Sequence, residues 1–375
     1  MTAAKHTDTG FSSNNKISLR QLQALLLLEI FGFGVTSLPR RVAEHAAQDG
    51  WLSVVAAALF IVGIAAAMAA VTRRFTGQGL SFYALSCKVL GRPLGVAVTI
   101  IICARLVAMA SLNLRIFAEI TRQTMLPQTP FPVIFAAMLL LAAYGASKGI
   151  ESRARVAEVL ILLVFVPLII VFAASSRQID FTNLAPVLDA PIRDILSGSF
   201  SALFAFSGIE ALLIIGPFLS RPKGLVKSST QAVGIIGICM IAITAITIAR
   251  FGPVNIVHQM WPVIKMMDTA SLPGAIIDRQ GALIMTFWII SAYATVGAAL
   301  FFSSLLLKDV AGRGKHPTYI LILIPIIAFA ANFPANLAHV YELLNLANTT
   351  LGVATIVVIP LLLFAVSSLR RRLHE

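Results

Sequence analysis

The stretch that decides the fold is EIFGFGVTSLPR, residues 29–40, because two glycines interrupt an apolar run there. The run around it, residues 18–39, is long enough to cross a bilayer, which needs about 20 apolar residues. Gly32 and Gly34 flank Phe33, and glycine adopts unwound backbone conformations without a steric cost. An unwound turn at membrane depth frees backbone N–H and C=O groups that need partners. The stretch therefore predicts a broken membrane helix with a polar site inside the bundle.

The composition of the whole chain favours a polytopic α-helical membrane protein. Its 375 residues are 58% hydrophobic and 12% charged, with a mean hydropathy of +0.90, whereas soluble domains carry about 25% charged residues. This excludes a cytosolic enzyme, a disulfide-rich secreted domain and a disordered chain. The formal charge of +13 does not indicate a nucleic-acid partner, because the basic residues separate apolar runs instead of forming one soluble face.

Apolar runs of this kind predict about ten transmembrane helices in one domain, residues 17–369, between a polar tail (1–16) and a basic end (370–375). The runs are too long and too uniformly apolar for β-barrel strands. The predicted spans are 18–39, 51–73, 94–120, 131–147, 152–176, 191–219, 225–251, 280–307, 317–333 and 348–369. We expect residues 78–92 to lie at the membrane interface and residues 334–344 to form a separate short external helix.

The basic residues predict the orientation, because Lys and Arg favour cytoplasmic flanks. With the N-terminus in the cytoplasm, nineteen of the 29 basic residues fall in the six inner segments, at least three in each. Arg153 is counted among them, at the start of the fifth span. Both termini are therefore predicted to be cytoplasmic.

A second break is predicted in the sixth span, around Gly208. Gly34 and Gly208 are 174 residues apart, as are Trp51 and Leu225, which open the second and seventh spans. Because each half has an odd number of helices, five, the second half has the opposite orientation in the membrane. The two halves are therefore predicted to be inverted repeats of about 17–176 and 191–369. Broken helices at matched positions of inverted halves predict a binding site at the membrane midplane.

The pair of breaks suits a zwitterion such as a small amino acid. Half-helix N-termini offer N–H groups to a carboxylate, and free carbonyl groups at the other half-helix end can hold an ammonium group. The alternative is that the glycines only allow close helix packing. The predicted ligand-binding residues of the breaks are Gly32, Phe33, Gly34, Val35, Thr36, Ser37, Phe206, Ser207, Gly208, Ile209 and Glu210.

Glu29, Arg105, Glu158 and Glu210 lie in the apolar part of the predicted spans, where charges are costly and usually face a cavity or a partner. Arg105 or Glu210 is a candidate partner for a charge on the ligand, and Glu29 and Glu158 are candidate proton or gating groups. The alternative is a set of buried structural ion pairs, including Arg105 with Glu210 or Glu29. The sequence shows no metal-ligand cluster, nucleotide-binding motif or catalytic motif, so we expect no metal, cofactor or enzyme activity.

Several motifs resemble the integral-membrane B subunits (GerAB-type) of bacterial spore nutrient-germinant receptors. They are ISLRQL (17–22), the first break, LPR (38–40), QDGWLS (48–53), LGRPLG (90–95) and the turn at 149–155. The resemblance covers about residues 17–369. It implies a LeuT-like fold of the amino acid–polyamine–organocation superfamily. It also places a pocket at the two breaks and at the third-span face around Cys103, Arg105 and Val107.

In function, the resemblance implies a germinant-sensing subunit. Such a subunit binds a nutrient, often an amino acid such as L-alanine, and works with a membrane-associated A subunit and a lipoprotein C subunit. We expect it in the spore inner membrane or the cell membrane. Two alternatives stay open: a proton-coupled secondary amino acid transporter, and a membrane scaffold with a vestigial pocket.

Overall fold

Helices make up the regular structure of the computed structural model, which describes residues 15–32, 34–76, 78–175, 179–269 and 280–372. Within these ranges, the β pairing consists of one isolated bridge between Ile17 and Leu219. The first half comprises α1 (Leu19–Ile30), α2 (Gly34–Ala46), α3 (Gly50–Thr76), α4 (Phe82–Leu90), α5 (Arg92–Thr124), α6 (Phe131–Ser147) and α7 (Gly149–Ser175). The second half comprises α8 (Ile192–Leu203), α9 (Ala211–Ile214), α10 (Leu225–Ile256), α11 (Pro262–Asp268), α12 (Gln280–Ala311), α13 (His316–Asn332), α14 (Leu337–Ala347) and α15 (Ile359–Arg372).

Length and hydropathy mark several of these helices as membrane spans. Five described stretches are long and apolar enough to cross a bilayer, and α6 and α13 are apolar but shorter. The five are Gly34–Thr76, Arg92–Gln123, Leu225–Ile256, Thr286–Ala311 and Leu337–Arg370. The first and sixth spans are divided into half-helices, α1 with α2 and α8 with α9, as the sequence predicts.

The first and sixth spans run side by side in opposite directions. At the start of the first span, the Ile17 N–H donates to the Phe218 carbonyl oxygen at 2.7 Å. At the other membrane face, the Asp49 carboxylate accepts from the N–H groups of Leu188 and Ala190, both at 2.9 Å. Each span therefore starts beside the end of the other. We call the face that holds Ile17 the N-terminal side.

The packing of the remaining spans repeats this inverted relation. Helix α3 packs along α10, and α5 packs along α12. Helix α1 contacts α10 just as α8 contacts α3, and α2 contacts α10 just as α9 contacts α3. These reciprocal contacts agree with the predicted five-plus-five inverted repeat.

The last span differs from the sequence prediction. Residues 334–344 do not form a separate helix, because α14 continues into α15 through two π-helical turns at Asn348–Gly352 and Ala354–Val358. Asn336 caps the start of the run, where its side chain accepts from the His339 N–H at 2.9 Å. Asn348 and Thr355, in the two π-helical turns, are buried inside the bundle.

Candidate ligand site at the two helix breaks

The two breaks contact each other through their backbones. Helix α1 ends at Ile30 and α2 begins at Gly34, which faces Ala205 in the 3₁₀ turn after α8. A Cβ atom on Gly34 would lie 2.6 Å from the Ala205 carbonyl oxygen and 2.9 Å from its Cα. Gly208, in the second break, has a φ of +106°, which side-chain-bearing residues rarely adopt. Glycine is required at both positions for different reasons: close approach at Gly34 and backbone conformation at Gly208.

A cavity of about 670 Å³ extends from the breaks toward the side opposite the N-terminus. Its volume is within the range of about 300–1,000 Å³ that is usual for small-molecule sites. The deep part is lined by Glu29, Gly34, Arg105, Ser207 and Gly208, and the outer part by residues of α2, α11 and α14 that include Arg41, His45, Trp261 and Tyr341. The cavity therefore joins the midplane to one membrane face.

Buried Arg105 connects three elements beside the cavity. Its Nε donates to Glu210 Oε1 at 2.8 Å, and its Nη2 donates to Ser207 Oγ at 3.0 Å. The side chains of Arg105 and Glu210 are each 1% exposed. Glu210 Oε2 also accepts from the Gly208 N–H at 2.8 Å, so this carboxylate binds a backbone group that the break leaves free. We call Arg105, Glu210 and their hydrogen-bond partners the Arg105 cluster.

The last span supplies the rest of the Arg105 cluster. Thr355 Oγ1 donates to Glu210 Oε1 at 3.2 Å, and Asn348 Oδ1 accepts from Arg105 Nη1 at 3.4 Å. A Cβ on Gly352, between them, would lie 2.8 Å from Arg105 Nη1. Single π turns in helices often occur at functional sites. The sequence analysis missed Asn348 and Thr355, because it expected 348 to be only the start of a regular span.

A second buried ion pair lies on the N-terminal side of the cavity. Arg153 Nη2 donates to Glu29 Oε1 at 3.2 Å, and the guanidinium lies 5.5 Å from the centre of the Phe301 ring. Arg153 is one turn inside α7, so it is a buried partner and not the surface charge that the orientation count assumed. This pair links α1 to α7 on the N-terminal side of the cavity.

Because this pair is buried, replacing Arg153 is expected to destabilise the protein more than replacing the neighbouring arginine of α7, Arg155. Arg153→Gln is expected to lower the free energy of unfolding by about 2 kcal/mol, because Glu29 loses its charged partner but still borders the cavity. Arg155→Gln is the matched control, because Arg155 is 58% exposed in its pair with Glu151 and should cost under about 1 kcal/mol. Thermal unfolding of both variants in detergent measures the difference. Equal losses would contradict the assigned role of the Glu29–Arg153 pair.

Seven of the predicted site residues line the cavity: Glu29, Gly34, Thr36, Ser37, Arg105, Ser207 and Gly208. Glu210 lies behind Arg105. Gly32 faces α12, where a Cβ would collide with the Thr295 hydroxyl and approach the Ser291 carbonyl oxygen. The first break is therefore packed against the eighth span on one side and against the sixth span on the other.

The other predicted residues lie elsewhere. Val35, Phe206 and Ile209 are buried in the hydrophobic core, and Val107 packs against it. Cys103 points to α12, where its Sγ donates to the Ser303 carbonyl oxygen at 3.6 Å. Glu158 is exposed on α7. Phe33 lies outside the described residues.

The cavity face of α5 follows helical spacing. Arg105, Met109, Asn113 and Ile116 line it together, whereas Cys103 and Val107 lie two residues from Arg105 and so point to other sides of the helix. Positions three or four residues from Arg105 would have identified this face from the sequence. Arg41 had the same signal on α2, because it follows Gly34 and Ser37 at helical spacing, whereas Trp261 and Tyr341 had no comparable signal.

The comparisons with known proteins identify the family. The family described as "Spore germination protein" matches residues 16–340. "Spore germination protein YndE" of Bacillus subtilis (strain 168) is 25% identical over 365 residues, covering 96% of this chain and 99% of the relative. "Spore germination protein B2" of the same strain is 23% identical, covering 94% and 95%. "Spore germination protein GerQB" of Bacillus cereus is also 23% identical, with the same shares covered.

A solved structure agrees with the fold. The crystal structure of MhsT in complex with L-phenylalanine matches with a TM-score of 0.66 at 15% sequence identity, covering 86% of this chain and 79% of MhsT. At this identity, the match shows the fold alone. The predicted fold class is confirmed, and the family is one of spore germination proteins, which are not enzymes. The chain therefore belongs to the spore germination protein family and is a multi-pass membrane protein with a LeuT-like fold.

Proposed function

We propose that this chain is the integral-membrane subunit of a spore germinant receptor that binds a small nutrient, an amino acid, in the cavity at the two breaks. The observation that carries the proposal is the cavity itself. It has about 670 Å³ of space and reaches both breaks of an inverted repeat. Matched breaks of this kind hold the substrate in many LeuT-like transporters.

The cavity wall offers groups for both ends of a zwitterion. Helix α2 begins in the wall at Gly34, and its first turn presents N–H groups together with the hydroxyls of Thr36 and Ser37. A helix N-terminus favours a carboxylate because its N–H groups and dipole point at the anion. The Glu29 carboxylate, at the floor of the same cavity, suits an ammonium group.

The setting in the membrane follows from the family and the basic residues. We place the protein in the spore inner membrane or the cell membrane, with both termini cytoplasmic and with A and C subunits as partners. With that orientation, the outer part of the cavity faces away from the cytoplasm, where an external nutrient arrives. The relatives are named spore germination proteins, and MhsT is described with bound L-phenylalanine, which supports an amino acid as ligand.

Signalling requires that the ligand bind two conformations with different affinities. The Arg105 cluster gives a route for this, because it joins the second break to α5 and to the π turns of the last span. A ligand that contacts Ser207 and Gly208 would change the free energy difference between the two conformations of the Arg105 cluster. Partner subunits would then respond to the last span.

The test is ligand-induced thermal stabilisation of the purified protein by a panel of L-amino acids. We expect Gly208→Leu to abolish the stabilisation, because leucine does not tolerate a φ of +106°. Gly234→Leu is the matched control, because a Cβ there meets no atom within 4 Å. Unchanged stabilisation of Gly208→Leu would contradict the site assignment.

One observation favours a second candidate, a proton-coupled amino acid transporter. Glu29 is a carboxylate that borders the cavity and is paired on the closed N-terminal side, as a proton-carrying group would be. Reconstitution of the lone subunit into liposomes, with and without an imposed proton gradient, separates the two functions. Gradient-dependent uptake of a labelled amino acid would contradict a dedicated receptor.

A further inference from the structure

Arg41 is a cation in the cavity wall that the proposed binding of a zwitterion does not use. It lies on the same face of α2 as Gly34, Ser37 and His45, which follow one another at spacings of three or four residues and all line the cavity. The Arg41 guanidinium interacts with the charge of Glu44 and with Tyr341, so it lies in the outer part of the cavity. The α2 N-terminus and Arg41 therefore border the same cavity.

The other charges around the cavity are balanced. Glu29 is paired with Arg153, Arg105 with Glu210, and Arg40 with Glu44, the last at 2.7 Å. These three pairs use the nearby carboxylates of α1, of the second break and of α2. On α14, Glu342 lines the cavity too, but it is exposed at the outer rim.

Among the described residues, Arg41 forms no such ion pair, although Glu44 is near enough to interact with its charge. Its Nε is buried and has no hydrogen-bond partner among the described residues. A buried guanidinium nitrogen without a partner costs free energy, and a carboxylate satisfies it best because it can accept two parallel N–H groups. The cavity therefore has an anion-binding group in addition to the α2 N-terminus.

We propose that Arg41 binds a second carboxylate of the ligand, so that the site takes a dicarboxylic amino acid such as L-aspartate or L-glutamate. This inference rests on the proposed function, in which the α2 N-terminus binds the first carboxylate. Gly34 and Arg41 are seven residues apart on α2, which corresponds to a rise of about 10 Å, and an arginine side chain is long enough to cover part of that distance when it turns toward a bound ligand.

The mouth of the cavity supports the same assignment. Trp261 Nε1 donates to the Tyr341 hydroxyl at 2.6 Å, and both rings line the cavity near Arg41. This aromatic pair links α11 to α14 and limits water around the guanidinium. An ion pair gains strength when water is excluded from it.

The test compares acids with their amides, which have nearly the same shape. Binding of L-aspartate, L-asparagine, L-glutamate and L-glutamine to the purified protein is measured by thermal shift and by calorimetry. We expect the wild-type protein to bind one acid at least tenfold more tightly than its amide. Arg41→Gln should remove that preference, and Arg41→Lys, which keeps the charge but not the planar fork, should restore part of it.

Arg193→Gln is the charge-matched control, because Arg193 is exposed on α8 near the same membrane face and does not line the cavity. It should keep the preference for the acid. If acid and amide bind equally and Arg41→Gln changes neither, the inference about Arg41 is wrong while the proposed site stands. If none of the four compounds binds but neutral amino acids do, the inference is again wrong. If no amino acid binds, the proposed function fails and the inference fails with it.

Discussion

Glu210→Leu is expected to destabilise the protein by about 3–5 kcal/mol, the usual cost of removing one partner from a buried ion pair. Arg105 would keep its charge at 1% exposure, with Ser207 and Asn348 as its remaining polar partners. The Gly208 N–H would also lose its acceptor. Thermal unfolding in detergent and the fraction of monodisperse protein after heating measure the loss.

The double variant Arg105→Met with Glu210→Leu separates the buried charge from the packing. Replacing both members of a buried pair by apolar residues of similar volume is often neutral or stabilising. We therefore expect the double variant to recover most of the stability that either single variant loses. Ligand-induced stabilisation should stay low in Glu210→Leu and in the double variant, because in both of them the second break loses the carboxylate that holds Gly208.

Two results would contradict this account. If Glu210→Leu unfolds like the wild-type protein, the pair is not a buried unit. If the losses of the two single variants simply add in the double variant, Arg105 and Glu210 do not interact energetically.

Gly34→Ala is expected to cost about 3 kcal/mol and to abolish ligand-induced stabilisation, although it adds a single methyl group. The new Cβ would lie 2.6 Å from the Ala205 carbonyl oxygen and 2.9 Å from its Cα. Backbone atoms cannot rotate away as a flexible side chain can, so the two breaks must separate. Thermal unfolding and the amino acid panel measure both effects.

Two further variants sharpen this prediction. Gly63→Ala in α3 is the control, because a Cβ there meets no atom within 4 Å, and it should keep stability and ligand response. Adding Ala205→Gly to Gly34→Ala should not rescue the protein, because the clash involves the Ala205 backbone. Rescue by Ala205→Gly would show that the breaks do not meet through their backbones.

The breaks could be predicted from the sequence because glycine spacing reports backbone conformation directly. Gly34 and Gly208 fell at matched positions, and one proved necessary for close approach and the other for a positive φ. The span pattern could also be predicted, because membrane thickness fixes the length of an apolar helix. These features depend on residues that are near one another in the chain.

Partners that are distant in the chain could not be predicted. Arg105 had Glu210 and Glu29 as possible partners, and only the crossing of α5 with the sixth span selects Glu210. Arg153 had the pattern of a surface charge because it follows a turn, yet the start of α7 at Gly149 places it inside the bundle. Asn348 and Thr355 fell inside the predicted last span, and the π turns bring Asn348 to Arg105 and Thr355 to Glu210. Only the packing of the spans shows which polar residues of a span have buried partners.

The pairing of the first and sixth spans on the N-terminal side has a consequence for how often each of the two conformations is populated. The Ile17 N–H donates to the Phe218 carbonyl oxygen at 2.7 Å, and the Ile17 carbonyl oxygen accepts from the N–H and the hydroxyl of Ser220 at 3.0 and 2.7 Å. Lys16 Nζ donates to the Pro217 carbonyl oxygen at 2.7 Å. These four bonds must break before this side opens, and at about 0.5–1.5 kcal/mol net for each protected bond they make the conformation open on this side the rare one. A transporter would visit that rare conformation in every cycle, whereas a receptor can spend its working life without it.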